Sequence, residues 1–70
     1  MRIELCPETG ICSIMKEDGK RVDLISDEVN QIKEASGDSG KIRIVLASID
    51  NGFAKSLSLE ELAQISSEVK

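Results

Sequence analysis

Two cysteines near the start of the chain are the side chains best suited to chemistry. Cys6 and Cys12 frame the segment Cys-Pro-Glu-Thr-Gly-Ile-Cys. Thiolates bind soft metals such as Zn²⁺ and Cu⁺ and can form redox couples. The spacing is not the CxxC of zinc sites or thioredoxin-like motifs, and the sequence has no histidine and no third cysteine. A thiol protein that binds metal or acts in redox chemistry is therefore one alternative function, although we expect Cys12 to be a buried apolar residue and Cys6 to be partly exposed.

Carboxylates are the second group of side chains that could bind a ligand. They concentrate in turns and at helix starts, and two of them, Asp38 and Asp50, flank the most apolar stretch of the chain. Oxygen-rich loops can hold Ca²⁺ or Mg²⁺ weakly, but none of these loops has the ligand spacing of an EF-hand. A weak divalent-cation binder that uses Asp38 or Asp50 is a further alternative.

The residue inventory does not favour an enzyme. Without histidine, only cysteine, lysine and carboxylate side chains are available for acid–base or nucleophilic catalysis near neutral pH. A chain of 70 residues also leaves little room for a deep pocket. We expect no catalytic residues and no cofactor.

Length and charge limit the partners further. The 70 residues predict a single domain, and the formal net charge of −4 argues against nucleic acid, because counterion release needs a basic surface. No stretch of about 18 apolar residues predicts a membrane span, and no secretory signal is evident. These features predict a cytoplasmic protein that binds neither nucleic acid nor membrane.

The stretch 41–49 is the densest run of aliphatic and β-branched residues, and it predicts a central β-strand. Alternation along that strand would place Ile42, Ile44 and Leu46 towards the core. The opposite face would then carry Arg43, Val45, Ala47 and Ile49.

Three shorter strands are predicted before it, in a meander over residues 1–24. A four-residue loop ending at Gly10 sets Leu5 opposite Cys12, and a three-residue loop ending at Gly19 sets Ile14 opposite Val22. Both registers collect the apolar side chains on one face of the sheet. The predicted members of that face are Ile3, Leu5, Cys12, Ile14, Val22 and Leu24.

The remaining segments predict two helices and one further strand. Ser26 is the expected N-cap of a helix over residues 27–36, whose stripe includes Ile25, Val29 and Ile32. Asn51-Gly52 predicts a tight hairpin that leads into an edge strand over residues 53–56. Ser58 and Glu61 form the pattern of a capping box at the start of a final helix. The buried stripe predicted for that helix is Leu59, Leu62, Ile65 and Val69.

These elements predict a small α+β domain with a mostly antiparallel sheet of four to five strands and two helices packed on one face, in the order β-β-β-α-β-(β)-α. The uncovered sheet face would be unusually apolar, which is typical of an interface. Its expected contact residues are Met15, Arg43, Val45 and Ile49. The function that we favour from the sequence is a non-catalytic interaction or accessory module that uses this face for a protein partner or a homodimer.

Overall fold

A computed structural model describes residues 1–69 and begins with a three-stranded antiparallel sheet. Its strands, β1 (Arg2–Leu5), β2 (Cys12–Met15) and β3 (Arg21–Leu24), lie in the order β1-β2-β3. Leu5 pairs with Cys12 and Ile14 pairs with Val22, so both predicted registers are confirmed. The sheet is smaller than predicted, because residues 41–49 and 53–56 do not join it.

Both hairpin loops have the lengths expected from the sequence. The first is closed by a hydrogen bond from the Cys6 N–H to the Ile11 carbonyl (2.9 Å), and the second by one from the Lys16 N–H to the Lys20 carbonyl (2.8 Å). Gly10 (φ 73°) and Gly19 (φ 92°) adopt the left-handed conformation that a side chain disfavours. The turn residues therefore set the strand registers.

Helix α1 (Ser26–Glu34) follows β3 directly. Ile25 is its N-cap, one residue earlier than the predicted Ser26, and the Glu28 carboxylate accepts from the Ile25 N–H at 2.9 Å. Isoleucine has no side-chain acceptor to complete a capping box, so the hydrogen bond to Glu28 is only one half of that motif. Val29 and Ile32 are buried as predicted, whereas Ile25 is exposed.

Residues 41–49 are not the predicted central strand, because most of them form helix α2 (Ser39–Ala47). Asp38 is the N-cap of this helix, and its Oδ1 accepts from the Lys41 N–H at 3.1 Å. Ile42 and Leu46 are one helical turn apart and are both fully buried. The cap and this spacing favour a helix, and the β-branched residues reduce helix propensity by only a few tenths of a kcal/mol each.

The predicted hairpin at Asn51-Gly52 and the edge strand after it are also wrong. These residues open a short helix, α3 (Asn51–Ser56), with Asp50 as its N-cap. Asp50 Oδ1 accepts from the Phe53 N–H at 3.0 Å. Because the capping carboxylate fixes the backbone ahead of Asn51, the Asn-Gly pair occupies the first helical turn instead of a hairpin loop.

The last helix, α4 (Leu59–Glu68), begins at the predicted capping box. Glu61 N–H donates to Ser58 Oγ at 3.2 Å, and Ser58 N–H donates to Glu61 Oε1 at 2.9 Å. Leu57 and Leu62, on either side of the capping box, are both buried, which is the arrangement of a hydrophobic staple. Leu59 is not part of the buried stripe, because its side chain is 69% exposed.

One cluster of buried side chains joins the sheet to all four helices, which gives a small α+β domain with three strands and four helices. Four residues predicted to face the core are exposed instead: Leu5 (48%) and Ile44 (70%), together with Ile25 and Leu59 described above. The buried members are Cys12, Ile14, Val22, Leu24, Val29, Ile32, Ala35, Ile42, Leu46, Phe53, Ala54, Leu57, Leu62, Ile65 and Val69.

The sheet face that is turned away from the helices is polar, whereas the sequence predicted an apolar surface there. Asp23 accepts from Ser13 Oγ at 2.7 Å and from Arg21 Nε at 3.1 Å, and Arg2 pairs with Glu4 at 2.6 Å. Charged side chains of this kind suit a solvated sheet face. The uncovered face of the sheet is therefore a poor candidate for an apolar interface.

Candidate functional sites

An open groove lies between helices α1 and α2, and we call it the α1–α2 groove. Its volume is about 420 Å³. The two helices pack against each other. The residues that line the groove are Gln31, Glu34, Ala35, Lys41, Ile44 and Val45.

Among residues 1–69, the large apolar side chain with the greatest exposure lies on this groove. Ile44 is 70% exposed. It follows the buried Ile42 by two residues, a rotation of roughly 200° around the helix axis, so it faces away from the core. Ala35 is buried and Val45 is partly buried against the core. The groove thus combines an apolar lining with one isoleucine that solvent reaches freely.

Opposite charges lie on the two walls of the groove. Glu34 belongs to α1 and Lys41 to α2, and both side chains are exposed. Within residues 1–69 neither forms an ion pair. Their charges are therefore available to a molecule that enters the groove.

The four residues predicted for an interface do not share a sheet face. Met15 lies on the outer face of β2, whereas Arg43 and Val45 belong to α2 and Ile49 follows that helix. Arg43 Nη1 donates to the Ala54 carbonyl at 2.8 Å, and Ile49 packs partly against the core. Only Val45 of this set lines the α1–α2 groove. These residues therefore do not form the predicted sheet face, because residues 41–49 are mainly helical.

The two cysteines lie in different environments. Cys6 is exposed and Cys12 is fully buried, and both are free thiols. Hydrogen bonds from the Thr9 hydroxyl and from the N–H groups of Thr9 and Glu8 lower the pKa of Cys6. Burial, and secondarily the Glu68 carboxylate, raises the pKa of Cys12. A ligand could reach Cys6 in the folded protein, but it could not reach Cys12 without opening the core.

Asp38 and Asp50 both act as helix N-caps. Each carboxylate accepts a hydrogen bond from a backbone N–H three residues later. They also lie at opposite ends of α2, a helix of nine residues that is roughly 13 Å long. This arrangement gives a shared cation site at Asp38 and Asp50 no geometric support. Among residues 1–69, no cluster of three or more potential ligands from His, Cys, Asp and Glu is suited to a metal ion.

Most of the groove was missed at the level of sequence. The groove can be recognised only when residues 39–47 are taken as a helix, because only then do Gln31, Glu34 and Lys41 line a common surface and Ile44 face solvent. One signal was present, because Ile42, Val45, Leu46 and Ile49 follow helical spacing as well as lying in an apolar run. Asp38, three residues before the apolar run, was the second signal, because aspartate is a favoured helix N-cap.

Comparison with known proteins adds no information about either site. No protein family, curated protein or solved structure matches the chain. Across the described part of the chain, none of the helices has the length and apolar character needed to span a membrane.

Proposed function

We propose that this protein is a non-catalytic interaction module and that the α1–α2 groove is its protein-binding surface. The observation that carries the proposal is the 70% exposure of Ile44 beside the apolar side chains of Ala35 and Val45. Burial of an exposed isoleucine in an interface gains roughly 1.5–3 kcal/mol. Ile44 is therefore the expected anchor of the contact.

The groove suits a protein better than a small molecule. It is open along its length, and its polar groups are the flexible side chains of Gln31, Glu34 and Lys41 at the walls. Small-molecule sites usually enclose most of the ligand and place a few polar groups at fixed positions. An apolar strip with charged walls instead resembles the core and rim of a protein–protein interface.

Site-specific photo-cross-linking in cells tests this proposal. A photoreactive phenylalanine analogue replaces Ile44, and the matched control replaces Leu59, which lies outside the groove and is 69% exposed. We expect position 44 to form covalent protein adducts and position 59 to form few. Equal adduct yields at the two positions would contradict the proposal.

A second candidate function, a thiol protein, is supported by one specific observation. Cys6 is exposed, and the hydrogen bonds around it lower its pKa, which increases the fraction of reactive thiolate at neutral pH. Cys12 cannot serve as its partner while it is buried. This function would therefore use Cys6 alone, as a thiol that exchanges with another molecule or as a single metal ligand. Stoichiometric Zn²⁺ or Cu⁺ binding by the reduced protein, lost in Cys6→Ser, would support it, and its absence would count against metal binding.

A further inference from the structure

We propose that the partner which occupies the α1–α2 groove is a second copy of this chain, bound through a two-fold symmetric interface. The inference rests on the proposed protein-binding role of the groove and names the occupant. A two-fold interface requires a surface that is complementary to itself, so that each contact occurs twice. The groove offers the two features that such an interface can use, an exposed apolar side chain beside a buried apolar lining and charges of opposite sign on its walls.

The apolar part of the groove provides both an exposed side chain and a more buried lining. Ile44 is exposed at the groove, and Ala35 and Val45 contribute the more buried apolar lining. A two-fold axis near the mouth of the groove would bring Ile44 of each copy onto Ala35 and Val45 of the other. Both exposed isoleucines would then be buried by the same contact.

The charges on the groove walls also match a second copy. Glu34 and Lys41 lie on opposite walls, and neither is paired within residues 1–69. In the symmetric arrangement, Glu34 of each copy would face Lys41 of the other, which makes two intermolecular ion pairs. Complementary charges of this kind fix the orientation of a complex.

The charge balance favours a second copy over a strongly basic partner. The whole chain carries a net charge of −4, yet the groove walls hold one acidic and one basic side chain. A strongly basic ligand would place positive charge beside Lys41. A second copy meets a locally neutral surface, and at moderate salt the distant negative charges are largely screened.

Charge-swap variants of the purified protein test the inference by sedimentation equilibrium, up to about 1 mM protein so that a weak complex is detected. We expect the parent to dimerise. Each single variant, Glu34→Lys or Lys41→Glu, should weaken dimerisation by about tenfold or more, because it creates two like-charge contacts. The double variant should regain most of the parent's affinity. Glu60→Lys and Lys55→Glu are matched controls, since they alter exposed charges outside the groove by the same amount.

The outcomes separate this inference from the proposed function. A parent that stays monomeric, while position 44 cross-links to a different protein in cells, would overturn the second copy as occupant and leave the groove as a binding surface. A dimer that neither single swap weakens, or that the double swap does not restore, would place the contact elsewhere and overturn the inference. Thermal melts of each variant ensure that a loss of dimer is not a loss of fold.

Discussion

The Lys16 ammonium nitrogen lies 2.9 Å from the carbonyl oxygen of Ser56, to which it donates a hydrogen bond. Ser56 is the last residue of α3, where carbonyl groups lack partners within the helix and carry the negative end of its dipole. The same ammonium group donates to Ser56 Oγ at 3.1 Å and lies 4.0 Å from a Glu61 carboxylate oxygen. One lysine thus joins the end of β2 to the ends of two helices.

Removal of this ammonium group should destabilise the fold. The Lys16 side chain is only 15% exposed, so Lys16→Met keeps most of its apolar contacts but leaves the Ser56 carbonyl without its donor. We expect a loss of about 1–3 kcal/mol in the free energy of unfolding, measured by denaturant titration. The control is Lys20→Met, at an exposed position, where a change within about 0.5 kcal/mol is expected. Equal effects at the two positions would mean that the Lys16 contact contributes little.

Truncation of two side chains in α2, Leu46 and Ile44, should reduce stability to very different degrees. Leu46 is fully buried, and Leu46→Ala should cost about 2–5 kcal/mol of unfolding free energy through lost burial and a residual cavity. Ile44 is 70% exposed, and Ile44→Ala should cost less than about 0.5 kcal/mol in the monomer. The measurement is denaturant unfolding at low protein concentration. Similar losses at both positions would favour the central strand predicted from the sequence, in which both side chains share one face.

Sequence reasoning succeeded at the two hairpins and at the start of α4. The hairpin registers were predictable because Gly10 and Gly19 fix the loop lengths, and a shift by one residue would turn Ile14 out of the core. The start of α4 was predictable because Ser58 and Glu61 cap it within four residues. In each case the determining interaction is local in the chain.

The failures have a different physical origin. A short apolar run such as 41–49 fits both a buried strand and one face of a helix, and tertiary packing decides between them. Here Ile42 and Leu46 enter the core together from one side of a helix, which leaves Ile44 in solvent. The α1–α2 groove exists only because of that choice, so no pattern in the sequence could reveal it while the strand was assumed.

The two thiols should differ in reactivity in the folded protein. Thr9 and the adjacent N–H groups lower the pKa of Cys6, so its alkylation should begin at a lower pH than for an ordinary cysteine, whose pKa is about 8.5. Cys12 should react only when the protein is unfolded. Iodoacetamide labelling at several pH values, read by mass spectrometry, measures both. Thr9→Val should move the Cys6 midpoint to higher pH, and an unchanged midpoint would remove the hydroxyl as the main cause.

Acidification should remove a contribution that Glu61 makes to stability. Its pKa is lowered, first by the hydrogen bond from the Ser58 N–H and to a smaller degree by the Lys16 ammonium group. Because the folded value lies below the unfolded one of about 4.3, the contribution is complete above that pH and is lost as the pH falls through the folded value. Thermal melts of Glu61→Gln should therefore lie below the parent at neutral pH and approach it in acid. Glu60→Gln, at an exposed position in the same helical turn, is the matched control.

The capping box at the start of α4 should contribute measurably through Ser58. Its Oγ accepts from the Glu61 N–H at 3.2 Å, so Ser58→Ala leaves that helix-end donor without its acceptor and should cost roughly 0.5–2 kcal/mol. Ser58→Asp should be tolerated, because it keeps an acceptor and adds negative charge at the positive end of the helix dipole. The matched control is Ser67→Ala, which removes an exposed hydroxyl near the other end of the same helix.

The position of this cap determines how α4 meets the core. Leu57 and Leu62 are buried on either side of the helix start, and Ile65 follows Leu62 into the core. A weakened cap should let the first turn fray and loosen these contacts, so Ser58→Ala should increase amide exchange at Leu62 more than at Leu46 in α2. Two results would contradict this role of the hydroxyl: a melting temperature of Ser58→Ala equal to those of the parent and Ser67→Ala, or a lower stability of Ser58→Asp than of Ser58→Ala. In either case, the packing of Leu57 and Leu62 alone would fix the helix start.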